Sequence, residues 1–172
     1  MKKVLIIALL AAVGWWYFVS SRTLTEERVN AFYGDLERAT LERKPDALCE
    51  MLADDFESTG TVSAGEGSKT VSQNREQACQ AYVDLYQSFD KLGEKMGGML
   101  QLDSTYQIHG ITLSPDKKTA TVDVSTSMDV AGSVMNIRAR STDTLIRRSG
   151  KVLMLKSEGK GSVSGGRSAR NR

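Results

Sequence analysis

The chain has 172 residues, of which 40% are apolar and 26% charged, with a formal net charge of +2. That length suits one domain with a core large enough to need no stapling. The near-balanced charge gives no general mandate for nucleic acid, which asks for a strongly basic face. With two cysteines, no CxxC spacing and one histidine, a zinc or dithiol redox site is excluded as an expectation.

Met1, Lys2 and Lys3 precede an uncharged run from Val4 to Val19, closed by Ser20, Ser21 and Arg22. This is the pattern of an export signal or a membrane anchor. Cleavage needs small residues before the cut, and Ala12-Val13-Gly14 leaves a short apolar core while Val19-Ser20-Ser21 follows Trp15, Trp16, Tyr17 and Phe18. As an anchor, the run rises about 24 Å at 1.5 Å per residue, with those aromatics at the outer interface and the lysines held inside. The anchor reading is preferred: residues 1–22 form a single N-terminal transmembrane helix and the domain lies in the periplasm, secretion after cleavage being the alternative. No cysteine follows the run, so lipoprotein processing is excluded.

From Thr23 the apolar period becomes helical. Thr23 with Glu26 reads as a capping box, and Val29, Phe32, Tyr33 and Leu36 recur at three- and four-residue steps toward an end near Arg43. Pro45 suits the first turn of a short helix carrying Leu48, Cys49, Met51 and Leu52. A short strand is predicted over 56–62, then an exposed Ser/Thr/Gly loop through Gly65 and Gly67. Ala78, Tyr82, Leu85, Tyr86 and Phe89 predict a third helix from about Ser72 to Leu92.

Beyond Met99 the period falls to two and predicts four strands, over 100–113, 119–130, 134–148 and 151–163. Ser114-Pro115-Asp116-Lys117, Val130 to Ser133 and Arg148-Ser149-Gly150-Lys151 are turn chemistry. The apolar phase slips between Ile108 and Ile111, which predicts a bulge at Gly110. Residues 164–172 read as a disordered basic tail. Cys49 and Cys79 fall on two of the predicted helices. In an oxidising compartment they would bridge a 30-residue separation, worth about 3 to 4 kcal/mol, the alternative being two buried thiols.

The phrases Val29-Asn30-Ala31-Phe32-Tyr33, Leu52-Ala53-Asp54-Asp55-Phe56 and Leu145-Ile146-Arg147-Arg148-Ser149-Gly150-Lys151, set in three helices followed by bent strands, resemble the nuclear transport factor 2-like superfamily. The resemblance covers about 25–161. It implies an α+β cone, three helices in the concave face of a bent antiparallel sheet, enclosing a pocket that some members use as an enzyme site and many as a binding or dimerising module. The most similar enzymes are the ketosteroid isomerases. Their general base corresponds to Gly60 here, with Glu57 the nearest acid; their helix tyrosine corresponds to Leu36; their strand aspartic acid corresponds to Asp143. One of three polar groups survives, and the base is not among them, which argues against that proton transfer.

Asp143 shares a strand face with Met135, Ile137, Ala139 and Leu145, where a carboxyl needs a hydrogen-bonded partner or a raised pKa; the alternative is a place on the polar side, or a pair with Arg138 or Arg140 of the sheet. The pocket candidates are therefore Asp143, Tyr33, Tyr82, Tyr106 and Met135. Met51, Met96, Met99, Met128 and Met154 are core filling with some capacity to line a pocket, and His109 reads as a surface histidine. No phosphate loop or nucleophile elbow is present, and no cofactor or metal is expected. The resulting expectation is a non-catalytic, membrane-tethered periplasmic domain that engages a small apolar ligand or a protein partner of an inner-membrane assembly, and that self-associates through its sheet. A small isomerase or hydrolase using Asp143 is the rival.

Overall fold

The computed structural model describes residues 23–65, 67–98, 100–132 and 135–165. The expected membrane helix over 1–22 lies outside the described residues, as do 166–172 of the expected tail. Three helices, α1 (Glu26–Leu41), α2 (Pro45–Glu50) and α3 (Arg75–Lys95), accompany six strands: β1 (Leu52–Ala64), β2 (Gly67–Asn74), β3 (Leu102–Leu113), β4 (Thr119–Val130), β5 (Met135–Arg148) and β6 (Lys151–Gly165).

α1 is capped by Thr25, whose hydroxyl accepts from the Arg28 amide. Thr23 does not cap it; the Leu24 amide donates to Lys117 O and ties the start of the domain to the β3–β4 turn. The helix ends where Arg43 enters the left-handed region at φ 53° and the Lys44 amide reaches back to Ala39 O, a C-terminal motif that satisfies a free carbonyl. Pro45 then begins α2. α3 opens on a reciprocal capping box between Asn74 and Gln77, three residues after the expected start, because Ser72 and Gln73 are paired in β2.

The sheet order is β2-β1-β6-β5-β4-β3. From β3 to β6 it is an antiparallel meander, with Ser149 and Gly150 both at positive φ in the two-residue β5–β6 turn, the backbone that twisted hairpins favour. The register slips between Ile108 and Gly110 where a bulge was expected. Two features correct the sequence reading. The strand expected over 56–62 is the middle of β1, but the segment expected as an exposed loop beyond it turns back as β2 and pairs with β1; with only Val71 as a large apolar side chain, β2 shows no apolar alternation. The sheet is also not wholly antiparallel, since β6 returns beside β1 in parallel, a pairing between distant segments that local periodicity does not encode. β6 runs on to Gly165 because Val163 and Ser164 pair with Ile137 and Asn136.

The core forms where α1 and α3 lie against the sheet. One cluster joins Leu24, Val29, Phe32, Tyr33, Ala120 and Leu145 with their neighbours, and a second gathers around Leu48, Tyr86, Phe89 and Val130. Arg43 ties the end of α1 to the far wall, pairing with Asp90 at 3.0 Å and donating to Leu100 O. Cys49 and Cys79 form a disulfide between α2 and α3. Replacing both cysteines by serine should cost about 3 to 4 kcal/mol, measured by denaturant unfolding. Gly159 is required where β6 meets β5, since a Cβ there would lie 2.6 Å from Arg140 O. Gly159→Ala should cost about 1 to 3 kcal/mol by overpacking, read as a lowered Tm.

Candidate functional site

The inward residues of the sheet set a polar line through an apolar wall. Ser58 of β1 faces Ser157 of β6, Ser157 faces Asp143 of β5, and Asp143 faces Val122 of β4. Register shifts beside this line, between Leu52 and Glu57 and between Thr144 and Leu145, bend the strands locally, as bulges do near sites. Asp143 is 3% exposed. Its Oδ2 accepts from the Tyr33 hydroxyl at 2.8 Å and its Oδ1 from the Ser157 hydroxyl at 2.7 Å. A buried carboxyl without such partners would cost several kcal/mol, so the pair ties α1 to the centre of the sheet.

The Tyr33 ring lies 5.5 Å from that of Tyr106 and packs edge-on to Phe32. Burial first, then the Asp143 carboxyl, push its phenol far above the ordinary range. Tyr82, on α3, is pushed up to about 12, chiefly by burial, with smaller contributions from Tyr86 and Asp143. Both are therefore neutral phenols at physiological pH.

A cavity of about 280 Å³ opens beside this line, between α1, α3 and the sheet. Phe32, Leu36, Phe56, Ala81 and Met154 make it largely apolar, and Tyr82, Ser157, Ser58 and Gln73 supply polar groups. Ser157 spends its one proton on Asp143, so toward the cavity its oxygen can only accept. The Tyr82 hydroxyl has no hydrogen-bond partner among the described residues and is free to donate. Asp143 and Tyr33 stand behind the wall and do not line the cavity.

Of the sequence candidates, the structure joins Asp143 to Tyr33 and puts Tyr82 on the cavity wall. Tyr106 stacks behind Tyr33 and does not line the cavity. Met135 lies apart, in the second apolar cluster, because the Asp143 face extends past the end of the cavity. The phenol that reaches Asp143 comes from Tyr33 and not from Leu36, the position the resemblance indicated. Gly60 brings no acid, and Glu57 faces outward opposite Lys156. His109 is on the surface, 2.8 Å from the Ser125 hydroxyl. Sequence reasoning missed Ser157, although its place in the period of β6 was a usable signal.

No family model matches the chain, and no curated protein matches it. Among solved structures, a putative scytalone dehydratase from Novosphingobium aromaticivorans is similar with a TM-score of 0.58 at 12% identity, covering 86% of this chain and 95% of that one. A nuclear transport factor 2-like protein of unknown function from Silicibacter pomeroyi gives 0.51 at 14%, covering 79% and 98%. A ketosteroid isomerase-like protein from Erwinia carotovora gives 0.50 at 12%, covering 78% and 94%. The chain therefore has the nuclear transport factor 2-like fold.

The phenols set an alkaline limit to stability. Unfolded tyrosines ionise near pH 10, while native Tyr33 and Tyr82 keep their protons above it, so the unfolded state binds fewer protons and stability falls as pH rises from about 10. Tyrosinate absorbance of the native protein at pH 11 should show these two groups unionised, and Tyr33→Phe should flatten the alkaline loss. At neutral pH the same substitution leaves Asp143 Oδ2 unpaired and should cost about 1 to 3 kcal/mol.

Proposed function

We propose that this chain is a membrane-tethered, periplasmic binding domain whose cavity takes a small apolar molecule bearing a hydroxyl group. The cavity carries the reading: an apolar chamber in which Tyr82 brings an unengaged donor and Ser157 an oxygen that can only accept, beside the Ser58 and Gln73 side chains. A hydroxyl matches both, accepting from Tyr82 and donating to Ser157, whereas a ketone can only accept. The tether is supported by the apolar run from Val4 to Val19. The Cys49–Cys79 disulfide agrees with an oxidising compartment. A partner within an inner-membrane assembly would engage the domain from outside the cavity.

The enzyme reading keeps one observation in its favour, the buried Tyr33–Asp143 pair next to the chamber. Against it, both carboxyl oxygens of Asp143 are already engaged, and no second acid lines the cavity.

Calorimetric titration with cyclohexanol and with cyclohexanone separates the readings. Cyclohexanol should bind more tightly, Tyr82→Phe should weaken it about fivefold, the worth of one neutral hydrogen bond, and Ala81→Phe should abolish binding by filling the chamber. Turnover of a carbonyl compound that is lost in Asp143→Asn would favour the enzyme. Equal affinity for the two compounds, or binding untouched by Ala81→Phe, would refute the proposal. Retention of the protein in carbonate-washed membranes tests the tether, and mature protein beginning at Trp15 or Arg22 would contradict it.

A further inference from the structure

The face of the sheet turned away from the helices carries a feature the cavity does not use. Between Glu57 and Ser63 of β1, Lys156 and Ser164 of β6, Asn136 and Thr144 of β5, and Thr121 and Asp129 of β4, every outward side chain is polar or charged. One outward row holds Arg138 between Ser162 and Ser127; the next holds Lys160 directly opposite Arg140, with Ser125 beyond. Rows on one face are about 7 Å apart. Between these two, with strand backbone as the floor, runs a trough of about 560 Å³ lined by all three cations.

The charges in this trough are unevenly satisfied. Arg140 is held by both oxygens of Asp123, at 3.2 and 2.7 Å. Arg138 and Lys160 have no ion-pair partner among the described residues. Like charges directly opposite on neighbouring strands destabilise a sheet, and the Arg140–Lys160 pair is such an arrangement. An anion between the rows relieves it. The basic zone is also short. Asp129 and Asp103 face each other beyond one end, and Asp123 and Glu158 lie beyond the other. A long polyanion or a flat anionic membrane would have to lie over those acids as well. The stretch also lacks the apolar side chains that form the centre of a stable self-association interface.

We infer that the trough binds a compact oxyanion carried on a hydroxyl-rich body, of the class of a sugar phosphate monoester. Arg138 and Lys160 take the phosphate oxygens from opposite rows, while Arg140, oriented by Asp123, closes the third side. The serine hydroxyls around them, Ser63, Ser125, Ser127 and Ser162, both donate and accept, which suits a polyol. This site is independent of the cavity on the other face.

The test uses the 172-residue chain in low salt, titrated with glucose 6-phosphate and followed by calorimetry and amide chemical shifts. Binding is expected, with shifts on β4, β5 and β6 around Ser127, Arg138 and Lys160, and with affinity above that for inorganic phosphate; glucose alone should not bind. The double variant Arg138→Gln, Lys160→Gln should weaken binding at least about tenfold, the scale of a lost charge-assisted bond, while Lys151→Gln, a cation outside the trough, should leave it unchanged. Equal affinity for inorganic phosphate, or binding that survives the double variant, would overturn the inference. So would capture by phosphatidylglycerol vesicles without binding of the free ester, or a concentration-dependent dimer that buries the trough.

Discussion

The structure depends on how one buried carboxyl is satisfied. Asp143 sits in the middle of the sheet at 3% exposure, and only two hydroxyls, one from α1 and one from β6, stand between it and the cost of an unpaired polar group. Tyr33 can reach it only if α1 lies across the concave face in the observed rotation. That rotation turns Phe32 and Leu36 toward the cavity. Ser157 can reach it only if β6 runs beside β5 in the observed register, which also sets β6 against β1. The bond pair thus couples the helix layer to the closure of the sheet, and the cavity is the space left beside it.

The same constraint divides the chemistry. A carboxyl engaged on both oxygens is a poor proton acceptor for a substrate, so Asp143 acts as a strut that orients Ser157. The polar groups facing the cavity then include a neutral phenol, Tyr82, and a serine oxygen left as an acceptor, Ser157, with Ser58 and Gln73 beside them. The opposite face is built on other terms, with paired rows of cations and hydroxyls over exposed backbone. One sheet therefore presents an apolar site on one side and an ionic one on the other, separated by the thickness of the strands.

Much of this was legible in the sequence where local patterns carry it. β4 alternates so regularly that its expected bounds and its observed ones coincide at Thr119–Val130, and the Ser149-Gly150 turn and the Gly110 irregularity follow from turn chemistry and a phase slip. Asp143 stood out as a carboxyl on an apolar face. What escaped depends on contacts between distant segments. β2 is a strand because β1 is beside it, although neither face is apolar; the parallel β1–β6 pairing has no local signature; and Tyr33 replaces Leu36 as the phenol position because helix rotation is decided by packing. Met135 shares a strand face with Asp143, yet the cavity ends before reaching it.

The most direct measurement uses the methionines as reporters, because Met51 and Met154 line the cavity while Met128 and Met135 pack in the second cluster. With methyl-labelled methionine in the intact chain, saturating cyclohexanol should move the Met51 and Met154 methyl resonances and leave those of Met128 and Met135 in place. Perturbation centred on Met128 or Met135, or no perturbation at saturation, would contradict a ligand chamber built beside the Asp143 strut.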